Sequence, residues 1–287
     1  MFAFCRVIRI CTQSIFILPL HLQINKNRCC MKRTNMLLFT LTAWVCGFAQ
    51  ETHVIEPAIL EVRYDSWQEE HDDSYILRIG KTANQFFSYY RYRTDSLMFT
   101  SEETSKIALQ EFIDTNDRSE DRSKRLKVST IGREWLYQDL TTDKLTLYSD
   151  YASAYNTYEE DIPRQEWEIS TDSVMTILGM ECHKATTMFR GRLWEVWFTE
   201  ELPISLGPWK LGGLPGLILK ATADKDFIKF TAISIKSEHL NPVTYYNWGN
   251  EKYYQMDRAK FLRYKNRPRT IPYADKVLPA KPYIELE

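Results

Sequence analysis

Cysteine is nearly absent from the part of the chain that has to fold. Six occur in 287 residues, but Cys5, Cys11, Cys29, Cys30 and Cys46 all lie in the first fifty, and Cys182 stands alone beyond them. One thiol cannot form an intramolecular bridge, so the core must hold the fold even in an oxidising compartment. Excess positive charge is lacking too. Without residues 1–49, which carry six basic and no acidic side chains, 31 Lys and Arg face 38 Asp and Glu, a net charge of −7. That balance argues against nucleic acid or an anionic membrane face as main partner. No Gly-x-Ser-x-Gly, phosphate loop, dinucleotide fingerprint or zinc-protease helix occurs, and no His-x-x-x-His or Cys-x-x-Cys spacing supports a metal. The expectation is a protein without cofactor, metal or catalytic constellation, and not an enzyme. Internal repeats, low-complexity tracts and linkers that would force a second domain are also missing.

What is present begins with an export signal. Met31-Lys32-Arg33 is a basic n-region, Met36 to Val45 an apolar stretch of signal-peptide rather than membrane-spanning length, and Gly47-Phe48-Ala49 supplies small residues before a cleavage point. Residues 31–49 read as a removed secretory signal, residues 1–30 as an upstream start that is not part of the protein, and 50–287 as one domain. Two alternatives stay open here: an anchor at Ile15 to Leu22, and a lipoprotein at Cys46, against which stands Val45 where a small residue is wanted. The expected location is the periplasm or outside the cell, with no transmembrane helix after signal removal.

The domain has strand periodicity. Ile59 to Asp65, Tyr75 to Gly80 and the aromatic run Asn84 to Tyr92 read as a meander, with turns and acids such as Glu69 to Asp73 between them. Thr100 to Asp114 changes to helical period, with Ala108, Leu109, Phe112 and Ile113 on one side. Asn116 to Arg125 is a charged connection. Strands are expected again at Lys127 to Ile131, Glu134 to Gln138, Leu145 to Ser149, Glu166 to Ser170, Val174 to Ile177, Cys182 to Met188, Arg192 to Thr199, Leu217 to Ala223 and Phe227 to Lys236. Tyr151 to Asp161 reads as a tyrosine-rich link, Tyr253 to Tyr264 as a second helix, and the tail from about 265 as irregular. The fold class is mainly β (α+β): a curved antiparallel sheet with one or two packed helices.

The stretch Arg190 to Ala223 organises the rest. Its centre, Gly213-Leu214-Pro215-Gly216-Leu217-Ile218, has no acid, base, nucleophile or ligand, so its contribution is shape: two glycines and a proline make a sharp bend that feeds a buried strand. With Gly191-Arg192, Trp197-Phe198-Thr199, Ile204-Ser205 and Gly207-Pro208-Trp209-Lys210 before it, this hexapeptide resembles the GLPGLI family of Gram-negative envelope proteins, named after it. The resemblance covers most of the chain beyond residue 49 and implies an exported protein for which no activity is established. In strand order and one Trp-Phe pair the chain also looks like the curved half-barrel of periplasmic lipoprotein carriers.

Alternation across Arg192 to Thr199 puts Arg192, Trp194, Val196 and Phe198 on one face and Leu193, Glu195, Trp197 and Thr199 on the other. Both faces carry large apolar groups, so the strand is covered on both sides, either by protein or by something bound. The first reading is a central strand. The second is a groove in which Arg190, Arg192, Trp194, Trp197, Trp209 and Lys210 hold a hydrophobic or peptidic ligand or an outer-membrane partner. A further alternative makes Leu214-Pro215 the tip of an assembly accessory inserted into another protein. An unrecognised hydrolase, drawing paired carboxylates from clusters such as Glu69 to Asp73, Glu159 to Asp161 or Glu200-Glu201, is the remaining one. Cys182-His183 point to opposite strand faces and cannot form a couple.

Overall fold

The computed structural model describes residues 53–68, 71–116, 132–150, 155–224, 227–245, 247, 251–271, 276–278 and 283–286. All belong to one unit, Gly47–Glu287. The upstream start, the signal, Glu69-Glu70, the strand expected at Lys127 to Ile131 and most of the charged connection lie outside these residues.

In order, the strands are β1 (His53–Glu56), β2 (Leu60–Gln68), β3 (His71–Ile79), β4 (Ala83–Ser88), β5 (Glu134–Asp139), β6 (Lys144–Ser149), β7 (Asn156–Asp161), β8 (Glu168–Ile177), β9 (Met180–Phe189), β10 (Arg192–Thr199), β11 (Leu217–Ala223), β12 (Ile228–Lys236), β13 (Val243–Tyr245), β14 (Tyr254–Gln255), β15 (Arg269–Ile271) and β16 (Lys276–Leu278). Helices α1 (Tyr89–Thr100) and α2 (Glu102–Asn116) follow β4, and α3 (Arg258–Lys265) follows β14. Twelve strands make one sheet in the order β14-β7-β6-β5-β4-β3-β2-β12-β11-β10-β9-β8. Two meanders, β2 to β7 and β8 to β12, are thus sewn together where β12 pairs antiparallel with β2.

That order dictates curvature. β7 and β8 lie toward opposite ends of the sheet, ten strand spacings or ~48 Å apart if it were flat. Only residues 162–167 join them, a reach of at most ~25 Å. The sheet must therefore curl until its two ends face each other, and among the described residues no strand pairing closes it. Alternation fills the inside: Leu60, Val62 and Tyr64 from β2, Leu145 and Leu147 from β6, Tyr158 from β7, Trp194, Val196 and Phe198 from β10, and Phe230 from β12 are all buried. Tyr64 reaches across this interior, its hydroxyl donating to the Ile218 carbonyl at 2.7 Å.

The turns are local necessities. Leu178-Gly179 and Arg190-Gly191 join β8 to β9 and β9 to β10, and all four residues have positive φ, the two-residue turn whose twist matches the strands. The fold is the mainly β, curved sheet expected, but with three helices among the described residues rather than one or two. Four element expectations are corrected. The second helix, expected from Tyr253, begins only at Arg258, after the short strand β14. The aromatic run after Asn84 stops being a strand at Ser88, whose hydroxyl caps α1 by accepting from the Arg91 amide. The supposed link ending at Asp161 contains β7. The segments on either side of Thr171-Asp172-Ser173 are one strand, β8, with a register irregularity between Ile169 and Val174.

Candidate functional site

The tryptophan ribbon lies inside the molecule. Trp194 has no exposed surface and Trp209 almost none; their rings stack with centroids 5.6 Å apart. Trp197 is half-buried on the opposite face of β10 and packs against the same core from outside. These rings do not converge on an open groove, so the ligand-binding reading loses Trp194 and Trp209 as lining residues. The hexapeptide is likewise turned inward. Leu214 is 2% exposed, so the tip expected to enter another protein is plugged into its own core. Gly213 has φ +86°, and a Cβ on Gly216 would sit 2.0 Å from the Thr199 carbonyl oxygen, so each glycine is there for a different reason. The β7–β8 connection is pinned to this loop: Trp167 Nε1 donates to the Gly212 carbonyl at 2.8 Å, and the Gln165 amide bridges the Lys210 carbonyl and the Gly212 amide. The bend fills the seam that the sheet leaves unclosed.

The basic residues of the ribbon serve the same seam. Lys210 Nζ, fully buried, donates to Glu160 Oε1 (2.6 Å), Glu285 Oε1 (2.5 Å) and the Tyr158 hydroxyl (2.6 Å). Arg258 from α3 binds the other Glu285 oxygen at 2.6 Å, and Arg190 binds Glu160 at 2.6 Å. Burial pushes the Glu285 carboxyl up, but the Lys210 and Arg258 charges and hydrogen bonds more than offset it and hold it below its ordinary value. Arg192 is buried against Asp224 and donates to the carbonyls of Ile284 and Tyr283. Arg190, Arg192 and Lys210 are thus committed to closing the bowl and fastening the segment Tyr283 to Leu286. Sequence reasoning found three of these cations and named Glu160 only within an acidic cluster weighed for hydrolysis; it missed Arg258 and Glu285, which sit in a helix and a tail.

A concavity lies elsewhere among the described residues, on the outer face where β12, β2 and β3 run side by side. A cavity of about 390 Å³ is lined by Asp65, Ser66, Trp67, Asp72, Lys229 and Thr231. Register explains the gathering: Trp67 stands between Lys229 and Asp72, and Asp65 between Thr231 and Ser74. Ser66 takes the opposite alternation, toward the core with Tyr64. The Thr231 hydroxyl oxygen is buried with no hydrogen-bond partner among the described residues, a cost unless something supplies one. Burial raises the Asp65 carboxyl above its ordinary value; Arg63 and the Ser74 hydroxyl pull it down, and Asp72 adds to the rise. An indole face flanked by two carboxylates, an ammonium and a hydroxyl suits a polar ligand with one apolar side better than a lipid. Of the acidic clusters weighed as hydrolytic pairs, Glu69 to Asp73 supplies one carboxylate here, Asp72; its partner comes from β2, which local spacing could not reveal.

The family model described as "N-glycanase peptide, N-terminal domain" matches residues 138–265, from the end of β5 through α3, a little under half of the chain. Solved structures of PNGF-II in the P21 and C2 space groups are similar at TM-scores of 0.46 and 0.44 and 16% identity. They cover 74% and 73% of this chain and 34% and 33% of their own, so the chain spans about a third of their length. No curated protein matches. The N-glycanase match overturns the expectation that the chain is not an enzyme. That expectation equated the lack of a local catalytic motif with the lack of activity, and carboxylates brought together from different strands leave no such motif.

Proposed function

We propose that this chain is a glycan-handling domain of an exported, N-glycanase-type hydrolase, and that it engages its glycoprotein substrate through the Trp67 cavity. The observation that carries the reading is the composition of that cavity: the Trp67 ring offers a face to the C–H side of a sugar. Asp65 and Asp72 accept hydroxyl hydrogens, and Lys229 meets hydroxyl oxygens. The family match to an N-glycanase N-terminal domain supports the substrate class. The signal at Met31 to Ala49 supports the periplasm or the exterior as the place of action. The partner in that compartment is a glycopeptide or a glycosylated outer-membrane protein, which keeps a peptidic ligand but adds the sugar as the recognised part.

Calorimetric titration with an N-linked glycopeptide, the same peptide without sugar, and the released oligosaccharide tests this. The two sugar-bearing ligands bind, and Trp67→Ala weakens both roughly tenfold or more, the equivalent of about 1.4 kcal/mol. Equal binding of the bare peptide, or an unchanged affinity in the variant, overturns the reading.

A further inference from the structure

We propose that the outer face beside the Trp67 cavity selects oligosaccharides bearing one acidic group, a carboxylate or a sulfate, and holds that group between Lys220 and Lys229. This rests on the glycan reading above and adds a substrate class to it. Register builds the site. Trp197 of β10 stands opposite Lys220 of β11, and Lys229 of β12 stands opposite Trp67 of β2. Lys220 pairs with Thr231 and Thr222 with Lys229, so the two lysines are diagonal neighbours on one face, about 7–8 Å apart. Trp197, Lys220, Lys229 and Trp67 thus form a stripe across four adjacent strands. Three strand spacings, roughly 14 Å, separate the strands that carry its two indoles.

Both ammoniums stand without a counter-ion. Among the described residues neither Lys220 nor Lys229 forms an ion pair, although each has a carboxylate at a diagonal position. Glu195, diagonal to Lys220, is taken by Lys184 at 2.6 Å. Asp65, diagonal to Lys229, has Arg63 beside it and accepts from the Ser74 hydroxyl at 3.5 Å. Like charges on neighbouring strands repel, and a bound anion turns that repulsion into attraction by accepting from both. The flanking rings suit the rest of such a ligand, since each offers a face to the C–H side of a sugar on either side of the acidic group. Both indoles and both lysines are half-buried, so the sheet holds the stripe in place and leaves it reachable. Asp65, Asp72 and Glu195 around it oppose a second negative charge, which limits the preference to one acidic group and disfavours a polyanion.

The full chain lacking its signal is titrated calorimetrically with an N-linked oligosaccharide ending in sialic acid, the same oligosaccharide after sialidase treatment, and a sulfated form of that neutral product. At low salt wild type binds at least one acidic form about tenfold more tightly than the neutral one, and the advantage shrinks at high salt. The form that shows it identifies the acidic group. Lys220→Gln removes the advantage and leaves affinity for the neutral oligosaccharide as in wild type, whereas Lys220→Arg keeps most of it. The melting midpoint of Lys220→Gln is no lower than that of wild type, because a like-charged neighbour is gone. Equal affinity of wild type for acidic and neutral forms, or an acidic advantage that Lys220→Gln leaves intact, overturns the acid site while the glycan reading stands. Failure of every oligosaccharide to bind wild type removes both.

Discussion

Lys210 shows how much one residue carries when water cannot replace its partners. Its ammonium sits between two carboxylates and a phenol with no exposed surface. Lys210→Ala leaves Glu160 and Glu285 facing each other with one cation fewer, a change that costs about 3–5 kcal/mol for a buried pair. Urea denaturation checks this; a loss below about 1 kcal/mol would show that Arg190 and Arg258 suffice. Glu285 adds a pH dependence. Its folded pKa lies below the unfolded value of about 4.3. Its contribution is therefore present above that value and fades as pH falls through the lower folded one. Glu285→Gln is less stable than wild type at pH 7, and the gap narrows below about pH 4; a gap that stays constant with pH would contradict the assignment.

Among the elements, the hexapeptide bend separates two kinds of glycine. At Gly213 an added Cβ meets nothing closer than 3.7 Å, so Gly213→Ala bears only the left-handed conformation, about 1–2 kcal/mol. At Gly216 the obstacle is the Thr199 backbone, which no rotamer change relieves. Gly216→Ala is accordingly the more damaging, a ranking that calorimetric melting of both variants decides. The bend's own shape was legible because glycine and proline act through φ alone. The face of β10 that meets the core was not: Trp194 and Trp197 are both large and apolar, and alternation assigns faces without saying which is inside. α1 was missed for a related reason. It buries no residue fully, so it leaves no helical stripe, and its tyrosines favour a strand reading that the Ser88 cap overrides.

For the molecule as a whole, two meanders curl into a bowl that its own loop and tail complete. Curvature was readable in outline from strand content. The pairing of β12 with β2 was not, since it joins segments far apart in sequence, and the Trp67 cavity exists only because of it. Deleting residues 283–287 removes the fastening of Glu285 and the carbonyls that Arg192 uses. The melting midpoint falls by roughly 10 °C, and tryptophan emission shifts red as Trp194 and Trp209 meet water; an unchanged spectrum would mean that the bowl is closed without its tail. The ribbon and hexapeptide hold the bowl, and on the proposed reading the outer wall at β12, β2 and β3 receives the ligand. The most direct test is a crystal structure of the protein with an oligosaccharide released from an N-glycoprotein. The account predicts a sugar ring stacked on Trp67 within hydrogen-bond reach of Asp65, Asp72 or Lys229. A sugar seated at the Trp194–Trp209 ribbon, or none bound at millimolar concentration, would contradict it.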